Sequence, residues 1–419
     1  GTVSLASGAT QSGFGRTGTV NWDTASIKTT GFTAVSGNGY FCDTADSGAF
    51  TLTLPTSPSA GDIVGMKDYN GNFATANLTI GRGGSKINGA DSADPVISTT
   101  GAAIFLVYVD ATQGWVATQD DSSTFAGQSF ICSSVSGACN TLTTSGNCKV
   151  ATFKGPGTFT VNSIASCAAD NLVSYAVVAG GGGSAGDRGG GGGAGGYREV
   201  VSPSSPYTGS PTEGYPTPGN RITVTATGYP ITVGGGGATD NSPPFTDGAQ
   251  GATSTFSTID SAGGGAGHRN TSPGGDGGSG GGAGSIAPHT PRSGGSGNTP
   301  STTPAQGQDG GDSGNTPPAY TSGGGGGATV AGGNGDIGGD TGGTGGAGAP
   351  TSIPGSPTAY AGGGGGGSDN CGGAGGTGGG GNGGSPPVAG QAGGDNTGGG
   401  AGGTSGGGSG VASGNGGSG

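Results

Sequence analysis

The chain has 419 residues, room for two or three ordinary domains, yet only 28% are hydrophobic and 9% charged, too little apolar material for packed cores throughout. A net charge of −12, with no Lys or Arg after Arg292, excludes the basic footprint that nucleic-acid phosphates demand. No stretch approaches the roughly 20 apolar residues of a membrane-spanning helix, so membrane insertion is not expected.

The chain opens on Gly1-Thr2-Val3 with neither an initiator Met nor a signal-peptide pattern, and is read as processed or partial. Residues 1–16 are polar and turn-rich, a linker or docking tail. A β module is expected over 17–120. Phe50-Thr51-Leu52-Thr53-Leu54, Leu78-Thr79-Ile80 and Ala103-Ile104-Phe105-Leu106-Val107-Tyr108-Val109 alternate apolar and polar residues at period two. Pro55, Asn70-Gly71, Gly83-Gly84 and Asn88-Gly89 supply the turns between them. This pattern predicts an antiparallel sandwich or small barrel. Residues 121–150 are a Ser/Thr/Gly-rich connector. No amphipathic helix is evident, and the expected class is all-β.

Six cysteines are present. Cys132, Cys139, Cys148 and Cys167 cluster without a CxxC pair or a nearby histidine, which argues against zinc. Either one or two disulfides close this region in an oxidising exterior, or the thiols are small buried groups.

From 151 to 260, β-strands feed glycine runs. Asn171-Leu172-Val173-Ser174-Tyr175-Ala176-Val177-Val178-Ala179 enters glycines 180–183, and Pro230-Ile231-Thr232-Val233 enters 234–237. From 261 to 419 only glycine runs and loops remain, much of the chain's complement of 112 glycines. A flexible linker is the usual meaning of such composition. Collagen needs a strict Gly-X-Y period that runs such as 362–367 break. The remaining reading is a layered sandwich of polyglycine II helices growing from a jelly-roll-like β region. With three residues per turn and no internal hydrogen bonds, such a helix aims every N–H and C=O sideways at neighbours. Thr341, Thr344 and Ala347, then Cys371, Ala374 and Thr377, and also Ala194 and Tyr197, recur every third position, so each set shares one face. Those segments belong outside and the all-glycine runs inside. Prolines sit in turns, where a missing N–H is harmless.

Two stretches resemble bacteriophage fibre proteins. Tyr40-Phe41-Cys42-Asp43-Thr44, Thr51-Leu52-Thr53-Leu54-Pro55, Gly61-Asp62-Ile63-Val64, Asn77-Leu78-Thr79-Ile80-Gly81-Arg82, Gly84-Ser85-Lys86-Ile87-Asn88-Gly89 and Gly114-Trp115 resemble a domain of tail-fibre and other virion appendage proteins. Tyr175-Ala176-Val177-Val178-Ala179-Gly180 with Gly195-Gly196-Tyr197-Arg198-Glu199 is similar to the glycine-rich domains of phage tail-tip adhesins. The resemblance implies a non-catalytic, homotrimeric component of an extracellular virion appendage. Its partners would be other fibre or baseplate proteins and a host cell-surface glycan or outer-membrane protein.

No site for chemistry stands out. His268 and His289 lack companions, no Gly-x-Ser-x-Gly lies in a strand-turn-helix context, and no Gly-Lys-Ser/Thr follows a glycine loop. Gly332-Gly333-Asn334-Gly335-Asp336-Ile337 approximates a calcium-binding repeat, but its aspartate falls one place early and the unit does not recur. Asp309, Asp312, Asp336 and Asp340 are read as solubilising groups. No enzyme activity, metal or cofactor is expected. Loops on a rigid scaffold are the candidates for recognition. Their receptor-binding candidates are Tyr207, Tyr215, Phe245, His289, Tyr320 and Tyr360, although the tyrosines could equally pack over the ends of glycine helices. The expected function is a receptor-binding adhesin. The rivals are a structural head-fibre, decoration or fibril subunit, and an ice- or surface-binding protein, which would need a more regular Thr array.

Overall fold

In the computed structural model the first nine strands pass back and forth between two sheets. The structure describes residues 20–45, 47–91, 93–119, 130–145, 148–165, 167–239, 246–269, 272–285, 292–314, 320–338, 340–406 and 414–419. Chain contacts divide it into two units, 1–130 with 165–167, and 131–164 with 168–419.

In the first unit, β1 (Asn21–Lys28), β3 (Asn38–Cys42), β5 (Ile63–Asp68), β8 (Ala103–Asp110) and β9 (Gly114–Gln119) form a five-stranded sheet in that order. β2 (Phe32–Thr33), β4 (Phe50–Thr53), β6 (Leu78–Gly81) and β7 (Val96–Ile97) form a four-stranded one. The antiparallel expectation needs correcting, because β1–β3, β3–β5, β2–β4 and β4–β6 are parallel pairs. Period-two alternation says which face of a strand is buried, not which way its neighbour runs. Here each strand crosses to the other sheet before its neighbour begins, so successive strands of one sheet start from the same side. Only from β7 onward do antiparallel pairs close the unit. The alternation itself holds. Leu52, Leu54, Leu78 and Ile80 meet Tyr40, Val64, Met66, Leu106 and Trp115 in one buried cluster, each large side chain contributing roughly 1.5–3 kcal/mol. Among the described residues no barrel is formed.

The second unit starts earlier than the sequence suggests. β10 (Cys132–Val135), β13 (Gly157–Ser163), β18 (Gly228–Thr232), β19 (Ser254–Phe256) and β20 (Ile259–Ser261) make one antiparallel sheet. β11 (Thr141–Ser145) and β12 (Cys148–Thr152) form a hairpin. The segment read as a connector therefore contributes strands, whose polar Ser/Thr composition hid them. Two further pairs are β14 (Leu172–Val173) with β17 (Ile222–Thr223), and β15 (Tyr175–Val178) with β16 (Tyr197–Val200). The jelly-roll-like expectation resolves into this open sheet and its satellite pairs. Their core holds Val161, Val177, Val200 and Ile222 around Phe256. The Phe256 ring meets those of Phe159, Tyr175 and Tyr229 edge-on at 6.3, 5.9 and 6.1 Å.

Neither alternative for the clustered cysteines holds as stated: Cys132, Cys139 and Cys148 are free thiols rather than disulfides, and Cys132 and Cys139 are exposed rather than buried. Cys132 opens β10 against β13, whereas Cys148 opens β12 opposite Ser145 in a different sheet. Cys167 lies in the stretch 165–167 that belongs to the other contact unit and is joined to none of them. Sequence proximity did not bring the sulfurs together.

The glycine half is a block of segments bonded sideways through their backbones. Consider 190–196. The N–H groups of 190, 193 and 196 donate to the carbonyls of 268, 265 and 262, those of 191 and 194 to 323 and 326, and those of 192 and 195 to 401 and 398. On the acceptor side, the carbonyls of 191 and 194 receive 282 and 279, those of 189 and 192 receive 367 and 364, and those of 193 and 196 receive 182 and 179. Residues three apart reach the same neighbour, and the segment touches six. Segment 362–367 repeats the arrangement, donating to 378/381, 346/343 and 192/189 and accepting from 400/403, 376/373 and 325/322. A three-residue period with six lateral partners is polyglycine II packing, since the three-fold helix leaves every backbone group free to bond outward.

This geometry explains the glycine. A Cβ at Gly181 would lie 2.0 Å from the Gly399 carbonyl oxygen, one at Gly182 would lie 2.1 Å from that of Gly265, and one at Gly364 would lie 1.9 Å from that of Ala401. The layer rule holds where side chains recur. Thr341, Thr344, Cys371, Ala374 and Thr377 are exposed, while Gly342, Gly343, Gly346 and Gly373 between them are buried. Two corrections follow. Ala194 and Tyr197 are both buried and pack with Ala328, Ala349 and Ala361, filling a small apolar gap inside the block. The all-glycine run 234–237 lies at the surface, with Gly235 and Gly236 exposed.

Candidate functional site

Chain direction reverses from one glycine segment to the next, so the connections fall alternately at two ends of the block. At the end from which β15 enters, the loop between β16 and β17 is held by a buried carboxylate. Glu199, 2% exposed, accepts the Ser210 N–H at 2.6 Å and the Thr351 hydroxyl, joining β16, this loop and β21 (Ala349–Thr351). Glu213 accepts the N–H groups of Val201 at 3.0 Å and Tyr215 at 2.6 Å. Asn220 donates to the carbonyls of Gly214 and Thr303 at 3.2 and 2.8 Å and accepts from Arg198 at 2.7 Å. The loop following β21 joins through Thr208 N–H to Ser352 Oγ at 2.6 Å. The connection 201–221, rich in proline, serine and threonine, is thus tied at four places, and Pro203, Pro206, Thr208, Pro211 and Pro216 remain exposed on its outside.

The opposite end is held by charge. Asp187 and Arg188 both adopt positive φ, 57°, in the turn before 190–196. The Arg188 guanidinium bonds Asp369 through Nε at 3.2 Å and Nη2 at 3.0 Å, and its Cζ stands 4.3 Å from the Tyr320 ring centre. Arg269 Nη2 reaches Asp187 at 2.6 Å, and the Arg269 N–H donates to Asp247 at 2.7 Å. Such forked, half-buried pairs fix geometry as well as adding energy.

The candidates read from the sequence are divided between these ends. Tyr207 and Tyr215 lie in the loop after β16. Tyr360 ends β22 (Thr358–Tyr360), close to the same end, and Tyr320 lies at the other. Phe245 and His289 fall outside the described residues. All four tyrosines are half-buried and engaged within the chain. The Arg221 guanidinium covers the Tyr215 ring at 4.2 Å, Tyr320 lies under Arg188, and Tyr360 packs against the alanine cluster of Ala194 and Ala361. Burial, and then the nearby Cys148 thiol, pushes the Tyr207 phenol upward, and burial does the same to Tyr360. The sequence missed other exposed groups. Ile337 and Val388, 79% and 59% exposed, sit in connections at the charged end, and a lone apolar residue in a Gly/Asp loop was their only signal.

Two of the exposed aspartates read as solubilising groups, Asp309 and Asp312, also hold backbone. Asp309 accepts the Gly297 N–H at 2.7 Å, Asp312 the Gly294 N–H at 2.9 Å, and Asp276 the Ser296 N–H at 2.6 Å. Asn382 does the same for Gly375 at 2.7 Å. An outer segment lacks some of its six neighbours, and these short side chains accept hydrogen bonds from backbone groups left over.

Among the described residues no group of His, Cys, Asp and Glu could hold a metal ion, and no helix is long and apolar enough to cross a membrane. The model of the glycine-rich domain family matches residues 151–419. The chain belongs to the glycine-rich domain family. A search of curated proteins finds no match. The matched region begins at Ala151, inside β12, so the glycine-rich domain takes in the strand region as well as the block.

Proposed function

We propose that the protein is a receptor-binding adhesin of a virion fibre, which recognises a host cell-surface structure through loops displayed by the glycine-rich domain. The observation that carries this reading is the central segment 190–196, bonded to six neighbours. A block so cross-linked gives its loops a firm base, and loops already tied down lose little conformational entropy on contact. Glu199, Glu213 and Asn220 give that property to the loop after β16, and Arg188 with Asp369 gives it to the turn at 187–189. The half-buried tyrosines support the loops, and the exposed prolines, Thr208, Ile337 and Val388 are the groups offered to a partner. Several copies in one fibre, a homotrimer by the resemblance in sequence, would add avidity to weak individual contacts.

The test replaces 203–217 with a Gly/Ser loop of equal length, and separately exchanges Ile337 and Val388 for serine. Binding of fluorescent protein to candidate host cells is then measured. Loss of binding in either variant, with an unchanged melting profile, supports the adhesin reading. Binding by the parent that both variants retain in full would leave a structural fibre subunit as the better description.

A further inference from the structure

We propose that the first unit carries a separate recognition site, a cleft for an acidic sugar residue formed by Arg82, Ser85, Lys86, Asp91 and Tyr108. The starting point is how the few cations of an acidic chain are used. Among the described residues of this unit, Lys28 pairs with Asp23 at 3.1 Å, and Lys67 donates to the Gly101 carbonyl. Arg82 pairs with Asp94 at 3.0 Å. Lys86 alone among them has no ionic or hydrogen-bonded partner for its ammonium, and it lines a depression of about 450 Å³. That size is within the range of small-molecule sites.

The frame around the depression is rigid. The Lys86 carbonyl accepts the Trp115 N–H at 2.8 Å, and Gly114, at φ 69°, comes so close that a Cβ there would lie 1.9 Å from the Lys86 oxygen. Ser85 N–H closes a turn onto the Arg82 carbonyl at 3.1 Å, with Gly83 and Gly84 at φ 58° and 89°. The Tyr108 ring stands edge-on to buried Trp115 at 5.6 Å. Arg82 is anchored to Asp94 through Nε, which leaves the Nη edge of its guanidinium to face a ligand.

This donor set suits one chemistry. A planar guanidinium edge and an ammonium match a carboxylate, a tyrosine ring offers a face to sugar C–H groups, and Ser85 and Asp91 can bond hydroxyls. The Asp91 carboxylate beside the two cations disfavours closely spaced phosphates, while a sugar ring carrying one carboxylate can set its hydroxyls there instead. A uronic acid within a polysaccharide provides the carboxylate, the hydroxyls and the apolar ring face together. The cleft lies outside the glycine-rich domain, so it stands or falls independently of the loop-display reading.

The experiment titrates the full chain with oligogalacturonate and with a neutral galactose oligomer of equal length, by calorimetry at low and high salt. Lys86→Gln serves as the variant; having no partner to lose, it should melt like the parent. Expected are saturable binding of the acidic oligomer, weaker binding at high salt, and a loss of about tenfold or more in affinity in Lys86→Gln, equivalent to ~1.4 kcal/mol. The neutral oligomer should bind far more weakly. The proposal is overturned by no heat of binding at ~10 mM sugar, by equal binding of the neutral oligomer, or by unchanged affinity in Lys86→Gln. Loop replacements in the second unit should leave the titration unaltered, so the two readings fail separately.

Discussion

Replacing Gly364 with alanine tests the backbone lattice at its centre. The new Cβ would lie 1.9 Å from the Ala401 oxygen, where real contacts are at least about 3.0 Å, so the neighbouring segment must retreat by roughly 1 Å. That segment bonds 362–367 through the Gly400 N–H to Gly362 at 3.0 Å and the Gly403 N–H to Gly365 at 2.8 Å. A shift of this size carries both beyond bonding distance. Two buried pairs left unmade cost about 1–3 kcal/mol each, against which a less flexible unfolded chain returns roughly 0.4–1 kcal/mol. The expected net loss is about 1–5.5 kcal/mol. Gly235→Ala is the matched control. Nothing lies within 4 Å of its Cβ position, and Gly235 is not at positive φ, so only the unfolded-chain term acts and stability should rise slightly. The assay is denaturant unfolding of the full chain, following the transition of the second unit by far-ultraviolet circular dichroism. Equal stability of the two variants would refute the lattice.

Asp309→Ala and Asp312→Ala should each lower the second unit's stability by about 0.5–1.5 kcal/mol, the value of one hydrogen bond to a leftover backbone N–H; a thermal melt indistinguishable from the parent would return these residues to a purely solubilising role. Arg188→Ala removes the forked contact to Asp369 and the cover over Tyr320, costing roughly 1–3 kcal/mol, and hydrogen exchange should rise around 187–189 and 369–371. Burial, with the Asp68 carboxylate adding to it, pushes the Cys42 thiol from 9.0 to about 12. A raised folded-state value means stability that is intact below pH 9 and is lost as pH climbs toward 12. Unfolding of the first unit should therefore become easier across that window, and Cys42→Ala should flatten the dependence. In a thiol assay at neutral pH, exposed Cys132, Cys139 and Cys371 should react at once and Cys42 only after denaturation. Missing early thiols would signal the disulfides that the structure lacks.

Much of this was legible in the residues because glycine and β-alternation act locally. Leu52, Leu54, Leu78 and Ile80 announce a buried face by their spacing. Thr341, Thr344 and Ala347 announce a three-residue helix that keeps side chains on one side. The strand Tyr175–Val178 running into glycine announces where sheet gives way to block. The candidate site was less legible. Tyr215 and Tyr320 look like exposed recognition groups until Arg221 and Arg188, distant or unremarkable in sequence, are seen to cover them. Glu199 has nothing in its neighbourhood to mark it as the buried tie between β16 and β21.

Composition and period by themselves determined that this chain is all-β, that its second half cannot rest on side-chain packing, and that its backbone must therefore find partners of its own. They could not determine which segments meet. Any glycine run can bond any other, because a chain without side chains carries no address. Tertiary structure alone decided that 190–196 lies among six neighbours while 234–237 lies at the surface, and that β1 to β6 pair in parallel. The deciding physics is the loop lengths, the turn residues and the few side chains, Ala194 and Tyr197 among them, that fit one place in the stack and no other.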